Sequence, residues 1–246
     1  MIELALGMNE AEDQQRLQRY LEFDAMHGAY LGWQIEQFAP FLGQRILEIG
    51  CGVGGIIERL GRRELAVGVD VETPVLAHAR ARFQNRPECL FQQLDFAACS
   101  RSQLHDLKEQ QFDTIVCINV LEHILDDCEA LIRMKEVLQP QGFACLLVPA
   151  HPALYGPYDK LDGHYRRYSR GGLQSVVQKA GFRIERLYHF NFVGAIGWWI
   201  RYRVLQRSIH GASEFQWMLR LQPLARRLEH MVKPPFGLSL VAILRC

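Results

Sequence analysis

No apolar run in this sequence approaches the roughly 20 residues that span a bilayer. The longest, FVGAIGWWI from Phe192 to Ile200, is far shorter, so no transmembrane segment is expected. Charge of one sign is also missing. The 28 Lys and Arg against 27 Asp and Glu leave a net charge of +1, which gives no overall electrostatic pull toward nucleic acid. The seven cysteines (51, 89, 99, 117, 128, 145 and 246) contain no C-x-x-C pair. Reduced thiols, several packed in apolar runs, and a cytoplasmic protein are the expectation. The opening MIELALGMNEAEDQQ lacks a basic stretch followed by a long apolar run, so no signal peptide is expected. Neither H-x-x-x-H nor another compact ligand cluster occurs, and no metal is expected. Without Ser/Gly-rich or Gln-rich tracts, repeats or a linker, the 246 residues read as one folded domain, with 49% hydrophobic and 22% charged residues.

What is present is a regular alternation. After two helical patterns, about Asn9 to Leu21 and about Ala29 to Phe38, short aliphatic runs alternate with amphipathic ones from Arg45 onward. RILEI leads to VGGIIERLG, ELAVGVD to TPVLAHARARF, CLFQQLD to SRSQLHDLKEQ, and FDTIVCIN to DDCEALIRMKEVL, before a fifth strand-like run, GFACLLVP. This spacing predicts a doubly wound α/β sheet, parallel through these strands. Thr73 before Pro74 reads as a capping hydroxyl, and Asp126 with Asp127 as acid at a helix start. The segments expected are a helical cap (1–44), a cofactor core (45–149), a substrate loop, helix and strand (150–190), a helical insertion (191–235) and a closing strand (236–246). The loop AHPALYGPYDKLDGHYRRYS is too polar and broken for strand or helix. It leaves the carboxyl end of the fifth strand, the edge where open α/β sheets bind ligands.

The stretch ILEIGCGVGG from Ile46 to Gly55 has two parsings. Gly50, Gly52 and Gly55 spell the dinucleotide fingerprint; Gly50, Gly52 and Gly54 spell a G-x-G-x-G loop behind Glu48. A carboxylate at 48 would repel a pyrophosphate, whereas it suits a ligand carrying an ammonium and a sulfonium. Asp70 ends the second strand, where it can accept from both ribose hydroxyls, and Asp95 ends the third, poised for the adenine amine beside the apolar edge of Phe96.

With these residues in order, LEIGCGVG, VGVD, Leu94-Asp95, FDTIVCINVLEHI and VLQPQGFACLLVP, the sequence resembles the class I S-adenosylmethionine-dependent methyltransferases over roughly Arg45 to Pro149. The resemblance, to the small-molecule methyltransferases of bacteria, implies a Rossmann-like, seven-stranded, mostly parallel sheet with an antiparallel last strand. It implies S-adenosylmethionine as cofactor and S-adenosylhomocysteine as product. Gly50, Cys51, Gly52 and Gly54 would carry the methionine side, Asp70 and Val71 the ribose, and Asp95 and Phe96 the adenine. Asn119, Val120 and Leu121 would line the sulfonium. The Gly-Gly that usually follows the LQP proline is Gln141-Gly142 here. The segment VPAHPALYGPYDKLDGHYRRYSRGGL and the ending KPPFGLSLVAILR also resemble a bacterial subset often found beside glycosyltransferases. The expected acceptor is a small molecule: a glycoside, a lipid-linked sugar or another specialised metabolite. A Rossmann-type NAD-dependent oxidoreductase and a degenerate cofactor-binding interaction module are the alternatives.

If the acceptor needs a general base, the candidates lie above the fifth strand: His151, His164, Tyr155, Tyr158, Tyr165 and Tyr168, of which His151, His164 and Tyr165 lead. Asp159 and Asp162 either orient a histidine ring or form turn and salt-bridge contacts. His123 reads as structural or cofactor-adjacent, and Glu122 and Asp113 as structural. Arg166, Arg167 and Arg170 either clamp an anion or pair with surface acids. Tyr30 and Trp33, one turn apart, either close over the methionine end, with Tyr30 a cofactor contact, or pack in the core. From Arg183 to Cys246 ten Lys/Arg face three Glu, and NFVGAIGWWIRYRVLQR interleaves aromatics with arginines. A lid or a dimer interface is favoured over peripheral membrane contact, and the protein is expected as monomer or homodimer.

Overall fold

The computed structural model describes residues 2–199, 223, 225–229, 231 and 234–246. Its strands are β1 (Arg45–Ile49), β2 (Leu65–Asp70), β3 (Cys89–Gln93), β4 (Phe112–Ile118), β5 (Leu138–Pro149), β6 (Arg183–Phe190) and β7 (Ser239–Arg245). They form one seven-stranded sheet in the order β3-β2-β1-β4-β5-β7-β6. Pairings from β3 through β5 are parallel. Strand β7 runs antiparallel to both neighbours, so the seven-stranded, mostly parallel sheet with a reversed last strand is as expected. Every residue of β2 is buried, as are the last four of β1, because helices cover both faces of a parallel sheet.

The helices are α1 (Ile2–Glu36), α2 (Gly55–Arg59), α3 (Thr73–Arg82), α4 (Arg101–Glu109), α5 (Asp127–Val137), α6 (Pro157–Leu161), α7 (Arg170–Lys179) and α8 (Phe192–Trp199). One face of the sheet packs Leu104, Leu131, Met134, Leu173 and Val177 from α4, α5 and α7. The other packs Leu31 and Trp33 of α1, Ile57 of α2 and Leu76 of α3. Among the described residues no helix is long and apolar enough to cross a membrane.

Three local expectations change. The two N-terminal helices are one, because the polar stretch Glu22 to Gly28 holds no proline and is tied down in helical form. His27 Nδ1 lies 2.9 Å from the Phe23 carbonyl, and Asp24 pairs with Arg59 at 3.2 Å and Arg82 at 2.7 Å. Thr73 does not cap α3; the cap is Glu72, without a side-chain bond, while Asp126 does cap α5 by accepting from the Glu129 amide at 2.9 Å. The polar loop after β5 contains α6, started by Pro157 and by Asp159 accepting from the Gly156 amide at 2.8 Å. Of the helical insertion at 191–235, α8 and residues 225–229 are helical. The basic-aromatic stretch at 200–222 lies outside the described residues, as does the side chain of Trp198.

Candidate functional site

The carboxyl ends of the parallel strands converge on one edge, and the backbone turns there in an unusual way. Gly50 after β1 (φ 76°), Asn119 after β4 (φ 51°), His151 after β5 (φ 62°) and Asn191 after β6 (φ 62°) all have positive φ. Three of these carry side chains, and non-glycine residues held there mark positions the surrounding fold over-determines.

The glycine loop sits at the centre. Gly52 and Gly54 also take left-handed conformations, at φ 50° and 80°. A Cβ would come 3.0 Å from the Tyr20 ring at Gly52 and 2.7 Å from Phe83 at Gly54. The loop therefore keeps side chains out of the turn at the start of α2, where a ligand's polar end can approach the backbone, while its amides are held within the fold, those of Gly50 and Cys51 by the Val69 carbonyl and that of Gly54 by the Cys51 carbonyl. Beneath it, Asp70 Oδ2 accepts from the Gly52 amide at 2.8 Å and Oδ1 from the Glu72 amide at 3.1 Å. Each carboxylate oxygen still has acceptor capacity for a ribose hydroxyl. Glu48 is 3% exposed and its Oε2 has no partner. Burial first, and then the charge of Asp70, hold its carboxyl well above the ordinary range. Cys51 is a buried thiol pushed up by burial and by the two acids, inert as a nucleophile.

Just past β3, where adenine was expected, Asp95 is exposed, with Oδ1 accepting from the amides of Ala97 at 3.0 Å and Ala98 at 3.2 Å. Phe96 departs from the expected open apolar edge, since its ring is 3% exposed in the core with Leu94 and Leu104. Val71 is exposed at the strand end. Asn119 is exposed and Val120 half-buried, with a methyl pressed toward Gly50, but the Leu121 side chain is fully buried. Only the backbone of Leu121 is left to face a ligand.

Sequence reasoning missed what α1 adds. Tyr20 lies over the loop at Gly52, and burial together with the charges of Asp70, Glu72 and Asp162 pushes its phenol up to about 12. Arg16 forks onto both oxygens of Glu72 at 2.8 and 3.0 Å, fixing the helix above the end of β2. These contacts span 56 residues, and no local pattern announces them. Tyr30 lies elsewhere than the glycine loop. Its hydroxyl accepts from Asn191 Nδ2 at 3.2 Å, and its ring stacks on Phe190 with Trp33 edge-on, so this pair takes its packing reading.

Above β5 the two histidines part company. His164 is clasped at both nitrogens, Nδ1 by Asp159 at 3.0 Å and Nε2 by Asp162 at 3.1 Å. Burial alone would pull it down, yet those bonds and the charge of Glu122 outweigh burial and lift it to about 9. An imidazole protonated at neutral pH has no lone pair to accept a proton, so His164 is poorly suited to act as a base. Asp159, fully buried, also accepts from Arg167 Nε at 2.7 Å, which resolves Asp159 and Arg167 as a structural pair. Arg166 pairs with Asp127 at 2.8 Å, and Tyr168 donates to Asp127 at 2.9 Å. Tyr165 is 55% exposed and Tyr155 donates to the His164 carbonyl at 2.7 Å. Asp113 is structural, accepting from the amides of Gln44 and Arg45 at the opposite edge of the sheet.

His151, by contrast, has a buried Nε2 with no hydrogen-bond partner. Its ring stacks on His189, centroids 5.0 Å apart and planes at 2°. His189, which sequence reasoning did not single out, has an unpartnered Nδ1 and is held below the usual range by burial and by the neighbouring charges of His151 and Arg170. The turn after β4 brings a further surprise. Glu122, His123 and His164 place one donor atom each within 4.8 Å of one another, although no metal cluster was expected from the sequence. His123 and His164 are far apart in the chain, so the spacing carried no signal.

Residues 47–144 match a family model described as a methyltransferase domain. The chain is 29% identical over 116 residues to a ubiquinone biosynthesis O-methyltransferase of Paracidovorax citrulli, covering 46% of each. It is 31% identical over 121 residues to an uncharacterised methyltransferase of Mycobacterium tuberculosis, covering 49% of this chain and 58% of that one. It thus spans about half the length of the curated relatives it matches. Among solved structures, an S-adenosylmethionine-dependent methyltransferase from Mesorhizobium loti superposes with a TM-score of 0.57 at 18% identity, over 84% of this chain and 93% of that one. One from Archaeoglobus fulgidus gives 0.59 at 15% identity, over 93% and 99%.

Proposed function

We propose that the chain, with its methyltransferase domain and fold, is a class I S-adenosylmethionine-dependent enzyme that transfers a methyl group from this cofactor to a hydroxyl of a small-molecule acceptor. The observation that carries the reading is Glu48, a buried carboxylate with an orphaned oxygen behind a glycine cradle. It matches the ammonium of the cofactor's methionine and would oppose a dinucleotide's pyrophosphate. The O-methyltransferase activity named for relatives supports the choice of acceptor atom.

When bound, S-adenosylmethionine supplies a methyl group on a sulfonium, ready for in-line attack. The glycine turn would admit the methionine end beside the Glu48 carboxylate, with Asp70 to hold the ribose and Asp95 the adenine. The backbone of Asn119 to Leu121 flanks the sulfonium, and Tyr20 of α1 keeps water out. His151 accepts the proton of the acceptor hydroxyl at the nitrogen that no other group claims. His164 and Tyr165 shape the acceptor loop. Holding the acceptor in line with the methyl group supplies most of the acceleration, since nothing covalent is required of the protein.

The neutral isostere Glu48→Gln tests this by calorimetry with S-adenosylhomocysteine, which retains the ammonium. Replacing a buried ionic hydrogen bond should weaken binding by about tenfold or more. Unchanged affinity would remove Glu48 from the reading.

A further inference from the structure

Glu122, in the turn after β4, is a buried carboxylate that the described residues leave unsatisfied. It is 0% exposed, and neither Oε1 nor Oε2 has a partner. A buried carboxyl in that state forgoes solvation and hydrogen bonds alike, an unfavourable arrangement that a ligand would relieve. Every other acid around it is engaged: Asp159 with His164 and Arg167, Asp162 with His164, and Asp127 with Arg166. What Glu122 does face is a pair of imidazoles. His123 and His164 meet edge to face with centroids 4.5 Å apart, and one donor atom of each lies within 4.8 Å of a Glu122 oxygen.

We propose that Glu122, His123 and His164 bind a divalent transition metal of the zinc or manganese class, with Asp162 as a fourth ligand from the solvent side. Two imidazoles and a carboxylate suit such ions better than they suit calcium or magnesium, which prefer all-oxygen shells. Bonds of about 2.0–2.1 Å set tetrahedral donors about 3.3 Å apart, so small side-chain rotations close the set. The supporting contacts are already in place. Asp159, held by Arg167 and by the Gly156 amide, takes the Nδ1 hydrogen of His164 and so directs the Nε2 lone pair outward, as carboxylates behind metal-bound histidines do. The ion replaces the hydrogen bond between Nε2 and Asp162 and supplies the charge that Glu122 lacks.

The three ligands come from two segments. Glu122 and His123 lie in the turn after β4, which flanks the cofactor side, and His164 lies in the acceptor loop just past α6. A backbone contact already joins the two, the Tyr165 amide donating to the Glu122 carbonyl at 2.8 Å, while the His164 amide is held within its own loop by the Asp159 carbonyl at 2.8 Å. The metal is thus a clamp that fixes the acceptor loop against the cofactor turn. It takes no part in methyl transfer, and the inference stands apart from the proposed function.

Full-length protein stripped with a chelator should take up one equivalent of zinc by calorimetry. One equivalent of cobalt(II) should give visible absorption bands of four-coordinate geometry with mixed nitrogen and oxygen ligands. Glu122→Gln and His123→Ala should each weaken zinc binding by a hundredfold or more. Circular dichroism in chelator shows whether each variant is folded, and His123→Ala serves if Glu122→Gln fails to fold. Absence of a stoichiometric site in the wild type would overturn the proposal. So would zinc affinity unchanged in the folded variants, which would indicate an adventitious ion only.

Discussion

In the proposed reaction Glu48, Asp70 and His151 carry separable parts of the chemistry. Asp70 anchors the glycine loop through Gly52, and the same carboxylate is proposed to receive a ribose. Asp70→Ala should therefore cut S-adenosylhomocysteine affinity by about a hundredfold or more, since bonds to a charged group contribute roughly 1.5–3 kcal/mol each. His151→Ala should spare that affinity and slow transfer by about 10²–10⁴-fold, the usual contribution of a general base. Unaltered turnover across the pH range would remove it as the base. Glu48 adds a pH signature. Because burial and Asp70 lift its carboxyl well above the ordinary range, pairing with an ammonium, which favours the carboxylate, is coupled to release of a proton. Affinity for S-adenosylhomocysteine should therefore rise with pH from the acid side. Calorimetry in buffers of different ionisation enthalpy would detect that proton, and affinity falling with pH would contradict the assignment. The acids at strand ends were legible in the sequence because a strand end and a residue type together define a role. Whether His151 or His164 has a free nitrogen was not, because that depends on whether Asp159 and Asp162 fold back on it.

The helix α1 shows what element-level reading can and cannot reach. Its polar middle looked like a break, but Asp24 finds its partners on α2 and α3, and Arg16 finds Glu72 beyond β2. Only the folded sheet brings those cations near, so the sequence pattern showed helix propensity without continuity. Most strands, by contrast, were readable to within a residue or two, since short aliphatic runs between turn residues leave little choice of assignment, but β5 begins at Leu138, four residues before the GFACLLVP run. Asp24 is 15% exposed and bridges two guanidinium groups. Asp24→Ala should lower stability by about 1–3 kcal/mol. Thermal denaturation should show a melting temperature lower by about 2–4 °C per kcal/mol for a domain this size. A melting temperature unchanged from wild type would mean that α1 is held by its apolar contacts alone.

Over the whole molecule, the sheet edge gathers the proposed cofactor site from β1 and β2, the proposed acceptor side from β5 and β6, and the Glu122 cluster. Without metal this cluster makes stability fall as pH rises. Glu122 is lifted by burial to about 8, and His164 to about 9 by Asp159, Asp162 and Glu122 acting against burial. Both folded values exceed the ordinary ones of 4.5 and 6.5, so their contribution is fully present below those values and lost as pH climbs through about 8 and 9. Asp159 and Asp162 are held low, below 3.8, and titrate outside this window. Melts in chelator at pH 6, 7.5 and 9 should give a declining series, and a rising one would contradict the cluster's electrostatics. If this edge is built for a positively charged methyl donor, calorimetry of the wild-type protein should show saturable one-to-one binding of S-adenosylhomocysteine and none of NADH. NADH binding without S-adenosylhomocysteine binding would overturn that reading.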